Sequence, residues 1–179
     1  KYENLELCGY HCHVGSQVFD ASTFIDAVDI MMDFAYAVKE EIGYVPEFMN
    51  LGGGFGVRYV ASQADIDIAS TIREVGAALT QKCQELGMDK PKILMEPGRS
   101  IVADSGMTLY SVGTVKEITG YKNYVSIDGG MTDNPRFALY GSAYTVLLAN
   151  RMNEEKDFLC DVVGRCCESG AIIQPSVEM

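Results

Sequence analysis

Apolar residues recur at helical spacing from Ser22 to Ile42, where Phe24, Val28, Met31, Phe34, Ala35 and Val38 form a stripe. Asp26, Asp29 and Asp33 fall largely on the complementary face, and Gly43 stands where the helix should stop. A second helix is predicted over 65–86, with Ile68, Ile72, Val75, Leu79, Cys83 and Leu86 buried and Gly87 as terminator. The segment 5–14 reads as a strand whose alternation puts Cys8, Tyr10 and Cys12 on one face and His11 and His13 on the other. Pro46 introduces a second strand, Phe48-Met49, which runs into three consecutive glycines. Ile93-Leu94-Met95 is apolar throughout, as expected of a parallel strand covered on both faces. The rhythm is β-α-β-α-β, which predicts an α/β fold and a piece of a β/α barrel.

After about Asp104 the rhythm changes. Residues 107–118, 124–127, 159–163 and 171–174 are strand-like, and no long amphipathic helix separates them. A mostly β domain is therefore expected over 104–179, after an α/β domain over 1–103.

Composition narrows the class. A chain of 179 residues holds one ordinary domain or parts of two. The net charge of −11 disfavours nucleic acid and anionic membrane as partners. No apolar run has the length of a membrane span, and no basic-then-apolar leader opens the chain. It does not start with Met, so a fragment or a processed chain is expected. Six cysteines contain no C-x-x-C pair, and adjacent Cys166 and Cys167 suit a disulfide poorly; free thiols in a reducing cytoplasm are expected.

The candidate chemistry gathers at the ends of the predicted strands. Gly52, Gly53 and Gly54 follow Asn50-Leu51 and can turn several N–H groups toward one point, which makes an anion cradle; a mobile turn is the plainer alternative. His11-Cys12-His13-Val14-Gly15-Ser16-Gln17, Glu96-Pro97-Gly98-Arg99 and Asp128-Gly129-Gly130 are polar, reactive strand ends of the same kind. Chemistry collected at consecutive strand ends is how a β/α barrel builds a site.

The ordered set HCHVGSQ (11–17), NLGGGFG (50–56), EPGRS (96–100), DGGMTDNPRFALY (128–140) and CCESG (166–170) resembles the diaminopimelate decarboxylases. These are pyridoxal-phosphate enzymes of the alanine-racemase-like fold, related to the ornithine and arginine decarboxylases. The resemblance implies a partial pyridoxal-phosphate-binding β/α (TIM) barrel over 1–103 and part of a β-rich C-terminal domain over 104–179. It implies that Gly52, Gly53 and Gly54 hold the phosphate at a helix start, with Ser16 and Arg99 near that end. Glu96 is implied to face the pyridine nitrogen and His13 to pack on the ring, with His11 ranked lower. Arg136 and Tyr140 match positions that hold the distal end of the substrate, with Arg99 nearby, and Glu168 matches the acid that pairs with its ammonium. Cys167 matches the cysteine that delivers a proton to the carbon after CO2 departs; Cys166 is read as packing.

The implied reaction is decarboxylation of meso-diaminopimelate to L-lysine by a homodimer with shared sites. Two departures stand out. Relatives usually carry an acid where this chain has Ala171, and their Schiff-base lysine lies upstream of the histidine motif. None of the eight lysines here takes its place, so this chain alone is expected to be inactive. Three rivals remain at this stage. One is a metal hydrolase built on His11-x-His13, which needs further ligands beyond two histidines. The others are a decarboxylase of another basic amino acid or a carboxylated polyamine, and a catalytically silent homologue.

Overall fold

A computed structural model describes residues 2–179. The chain divides into two compact units, the first reaching Arg58 and including Ala64–Gly106, the second comprising Tyr59–Gln63 and Met107–Met179.

The first unit is a parallel sheet of β1 (Gly9–His11), β2 (Phe48–Asn50) and β3 (Lys92–Leu94), in that order, joined through α1 (Ala21–Ile42) and α2 (Ile68–Leu86). A short α3 (Arg99–Val102) follows. Sequential parallel strands with crossover helices on one side are the repeating unit of a β/α barrel. In register, Tyr10, Met49 and Ile93 form one row and His11, Asn50 and Leu94 the next. The first row and its neighbours Leu51 and Met95 pack into the core with Phe24, Val28, Met32, Ala35, Val75 and Leu79. The second row faces away from the helices, as the alternation at Tyr10 and His11 predicts.

This one-sided cover corrects the reading of residues 93–95 as doubly covered. Leu94 is 45 % exposed because its row carries the site and not the helix packing. The strands are also shorter than their apolar runs, β1 spanning only Gly9–His11 of the expected 5–14.

Both helices have the ends that their sequences imply. The Asp20 carboxylate accepts from Ser22 N at 2.9 Å, and Gly43 closes α1 at φ +72° with its N–H on the Lys39 carbonyl at 2.8 Å. Asp67 accepts from Ser70 N at 2.8 Å, so α2 starts three residues later than the apolar pattern suggests. The buried stripe of α2 runs Thr71, Val75, Leu79, Cys83, and Ile72 lies outside it, as does Phe34 on α1. Residues spaced by four stay on one face, and Ile72 is turned by about 100° from Thr71. Phe34 still meets Tyr10 edge-on, with ring centroids 5.1 Å apart. Lys82 ties α2 to α1 through Asp33 at 2.8 Å.

The second unit is a four-stranded sheet ordered β4 (Val112–Glu117), β5 (Asn123–Ile127), β6 (Leu159–Val163) and β7 (Ile172–Glu178). Only β5 and β6 are parallel. Its one helix among the described residues is α4 (Arg136–Tyr140), stopped by Gly141 at φ +62°. Ile127, Val162, Ile173 and Val177 form its core, whereas β4 is exposed along its whole length.

Asp161 is buried on β6. Burial pushes its carboxyl upward, but Lys122 Nζ at 2.8 Å and Ser176 N at 2.9 Å hold it below the usual carboxylate range. A lowered carboxyl pKa contributes stability above the unfolded value of about 4, and that stability is lost as pH falls through the folded value. Asp161→Asn is therefore expected to remove about 1–2 kcal/mol at neutral pH, discounted for the half-exposed lysine. The gap between the variant and the wild type should close as pH falls through the lowered folded value in urea titrations; a gap that does not change with pH would show that the pair is not the cause.

Candidate active site

The site of the first unit forms where the three parallel strands stop. His11 and His13, Asn50, and Glu96 leave β1, β2 and β3 on the sheet face without helices. Glu96 is held from both sides. Asn50 Nδ2 donates to its Oε1 at 2.7 Å, and His11 Nε2 lies 3.7 Å from its Oε2. The same Asn50 side chain accepts from Gly52 N at 2.8 Å through Oδ1. A further backbone bond runs from Glu96 N to the Gly52 carbonyl at 2.8 Å.

The three glycines are required by close approach. A Cβ on Gly52 would sit 2.7 Å from His13 Nδ1 and 2.8 Å from the Cys12 carbonyl oxygen. On Gly53 it would lie 2.1 Å from the Glu96 carbonyl oxygen, and on Gly54 2.1 Å from that of Gly15. Gly54 also has φ +104°, which only glycine adopts freely. The loop thus draws the ends of all three strands together. The expectation that it opens a helix is corrected, because α2 begins only at Ile68. The intervening chain is held by the parallel bridge Val18–Phe55 and by Gln17, which exchanges two 3.0 Å bonds with the backbone of Val57.

No helix N-terminus follows the loop directly, so any donors it offers to a ligand are its own backbone N–H groups. Gly52 N–H is taken by Asn50, while the N–H groups of Gly53 and Gly54 have no acceptor among the described residues. Gly53 is buried, and a buried donor needs a partner. Arg99, at the start of α3, donates to Ser16 Oγ at 2.9 Å, which couples two residues expected to act at one end of a ligand.

In the second unit, Arg136 and Tyr140 share α4, the guanidinium lying 5.5 Å from the ring centroid. The following segment, 164–171, is pinned beside them. Gly164 N donates to the Ala171 carbonyl, Arg165 N to that of Gly129, and a Cβ on Gly170 would contact Ala138 of α4 at 3.5 Å. Cys167 is exposed. Glu168 Oε1 accepts from Ser169 Oγ at 2.8 Å and Gly170 N at 3.3 Å, which lowers its carboxyl pKa and keeps it charged. Ala171 is only 4 % exposed, so the acid usual in relatives would here be buried.

Sequence reasoning gave no role to Asn50 or to Tyr110. Tyr110 donates to Asp133 Oδ2 at 2.8 Å, and burial together with that carboxylate pushes its pKa up to about 12. The two line an open cleft of about 520 Å³ with Asp128, Asn134 and Tyr144. Both were hidden because a hydrogen bond to a distant loop leaves no periodic mark. Among the described residues no three His, Cys, Asp or Glu side chains are grouped to hold a metal ion.

Residues 1–103 match the family model for the pyridoxal-binding domain of pyridoxal-dependent decarboxylases, and the chain belongs to that family. Within it, the chain is similar to diaminopimelate decarboxylases. It is 47 % identical to that of Staphylococcus aureus over 171 residues, which cover 96 % of this chain and 39 % of the relative. Identity to the Bacillus subtilis enzyme is 40 % over 177 residues, covering 99 % and 40 % of the two chains. A crystal structure of diaminopimelate decarboxylase from M. jannaschii in complex with L-lysine superposes with a TM-score of 0.78 at 33 % identity, over 94 % of this chain and 37 % of that one. The chain thus spans about two-fifths of the length of these relatives.

The residues present fit pyridoxal phosphate. The site offers two loop N–H groups without an acceptor among the described residues and an arginine–serine pair for an anion, and a clamped carboxylate for a ring nitrogen.

Proposed function

We propose that the whole protein is a pyridoxal-phosphate-dependent decarboxylase that converts meso-diaminopimelate to L-lysine and CO2. The observation that carries this reading is the clamped Glu96 beside a glycine loop with donors to spare. When bound, pyridoxal phosphate supplies the electron sink for the C–C bond that breaks. Gly53, Gly54, Ser16 and Arg99 bind its phosphate, His13 packs on the ring, and Glu96 holds a proton at the pyridine nitrogen. Arg136 and Tyr140 grip the distal carboxylate of the substrate and Glu168 its ammonium, for which a carboxyl whose pKa is lowered by its hydrogen bonds is suited. The Cys167 thiol gives its proton to the carbon vacated by CO2.

The two units correspond in this reading to a pyridoxal-binding domain over 1–103 and a substrate-contacting β domain over 104–179. The working form is a homodimer in which Cys167 and Glu168 serve the partner's barrel, with no nucleic acid or membrane as partner. No described helix is long and apolar enough to cross a membrane, and all six cysteines are free, which supports the cytoplasm.

Release of CO2 from meso-diaminopimelate by the whole protein, with L-lysine as product, tests the assignment. Release from another basic amino acid instead would move the reading to a different decarboxylase, and none from any would make it a silent homologue. Arg136→Ala is expected to lower kcat/KM on meso-diaminopimelate by about 10²-fold or more while pyridoxal-phosphate affinity and the thermal midpoint stay close to wild type. Losses of all three together would make Arg136 structural.

A further inference from the structure

We propose that Asn50 is a positioning residue whose single amide sets Glu96 and the glycine loop in fixed relation. The inference rests on the decarboxylase reading and extends it to a residue outside the cofactor contacts. Oδ1 accepts from Gly52 N at 2.8 Å, which fixes the orientation of the amide, because only Nδ2 is then left to face Glu96. Nδ2 donates to Glu96 Oε1 at 2.7 Å, a length suited to a charged acceptor. The backbone of Asn50 is itself fixed, sitting between His11 and Leu94 in the sheet and accepting from Cys12 N at 2.9 Å. The position of the carboxylate and the turn into the glycines therefore depend on one side chain. His11, 3.7 Å away, is the titratable side chain that faces the other oxygen of Glu96.

Two substitutions separate the two bonds. Asn50→Leu removes both. Asn50→Asp keeps the acceptor for Gly52 N, and donates to Glu96 only while the two carboxyl groups share a proton.

The whole protein, with ¹⁵N-labelled Asn and Gly, is examined first without cofactor. Exchange of the Gly52 amide is expected to rise about 5-fold or more in Asn50→Leu and to change little in Asn50→Asp. The Asn50 side-chain NH2 signal is expected to move in Glu96→Leu. With pyridoxal phosphate bound, Asn50→Leu is expected to lose about 10–10²-fold in kcat. Asn50→Asp should resemble wild type at low pH and lose kcat as pH rises and the shared proton leaves, in a His11→Gln background as well. Unchanged Gly52 exchange in Asn50→Leu, an Asn50 signal indifferent to Glu96, or parallel pH profiles for wild type and Asn50→Asp would each overturn the proposal. Cofactor-free signals that behave as stated, in a protein that takes up no pyridoxal phosphate, would instead overturn the decarboxylase reading and with it the catalytic sense of the bridge.

Discussion

Glu96→Gln in the whole protein is expected to keep pyridoxal phosphate bound and to lower kcat by about 10²–10³. The substitution isolates charge from shape. A glutamine keeps an oxygen for the 2.7 Å bond from Asn50, and its backbone still donates to the Gly52 carbonyl. What disappears is the negative charge that, in the proposed reading, would hold a proton on the pyridine nitrogen, without which the ring is a weaker electron sink. The phosphate contacts assigned to Ser16, Arg99 and the glycine loop lie elsewhere and remain. Equilibrium dialysis and steady-state kinetics on the same preparation distinguish the two effects. Turnover within a factor of two of wild type would take Glu96 out of the site.

Gly53→Ala is expected to damage both stability and cofactor binding. The added Cβ would lie 2.1 Å from the Glu96 carbonyl oxygen and 2.9 Å from its carbon. Those atoms are backbone and cannot swing aside, so the loop or the end of β3 must move, at a cost of about 1–3 kcal/mol or more. In a chain of this size each kcal/mol lowers the thermal midpoint by roughly 2–4 °C. Displacement of Glu96 follows from the same clash, so affinity for pyridoxal phosphate should fall with stability. Gly76→Ala, inside α2 with nothing within 4 Å of the new Cβ, is the control and should stabilise by up to about 1 kcal/mol. A Gly53→Ala protein that melts with wild type would mean that the loop is open at that point.

Much of the first unit is legible in the chain. The periods of α1 and α2, their terminal glycines, and the division of Tyr10 from His11 all follow from local rules, since each depends on residues within a few positions. The motifs at the strand ends were legible as a set. Less legible was the reason for the glycines, where sequence suggests room for a ligand and the structure shows neighbouring backbone at van der Waals limits. The role of Asn50 was not legible, because its second partner lies 46 positions along the chain. In the second unit, β-branched residues marked the strands, but the complete exposure of β4 had no signal, since Val112 and Val115 are of the same type as the buried Val125 and Val162. Ile72 and Leu94 show the same limit: an apolar side chain reports a tendency to be covered, and topology decides which faces are.

The three parallel strands keep their candidate site residues and their packing residues in alternate rows, and this constrains how the gene can change length. Deleting or inserting one codon within β1, β2 or β3 would exchange the rows beyond the lesion, sending His11, Asn50 or Glu96 toward the helices and Tyr10, Met49 or Ile93 toward the opposite face. Such a lesion removes the fold and the chemistry together, and no substitution elsewhere restores one without the other. Length variation in the first unit is therefore expected outside the strands and the glycine loop, as at 88–91 between α2 and β3, where the chain can gain or lose a residue and still deliver each strand in phase.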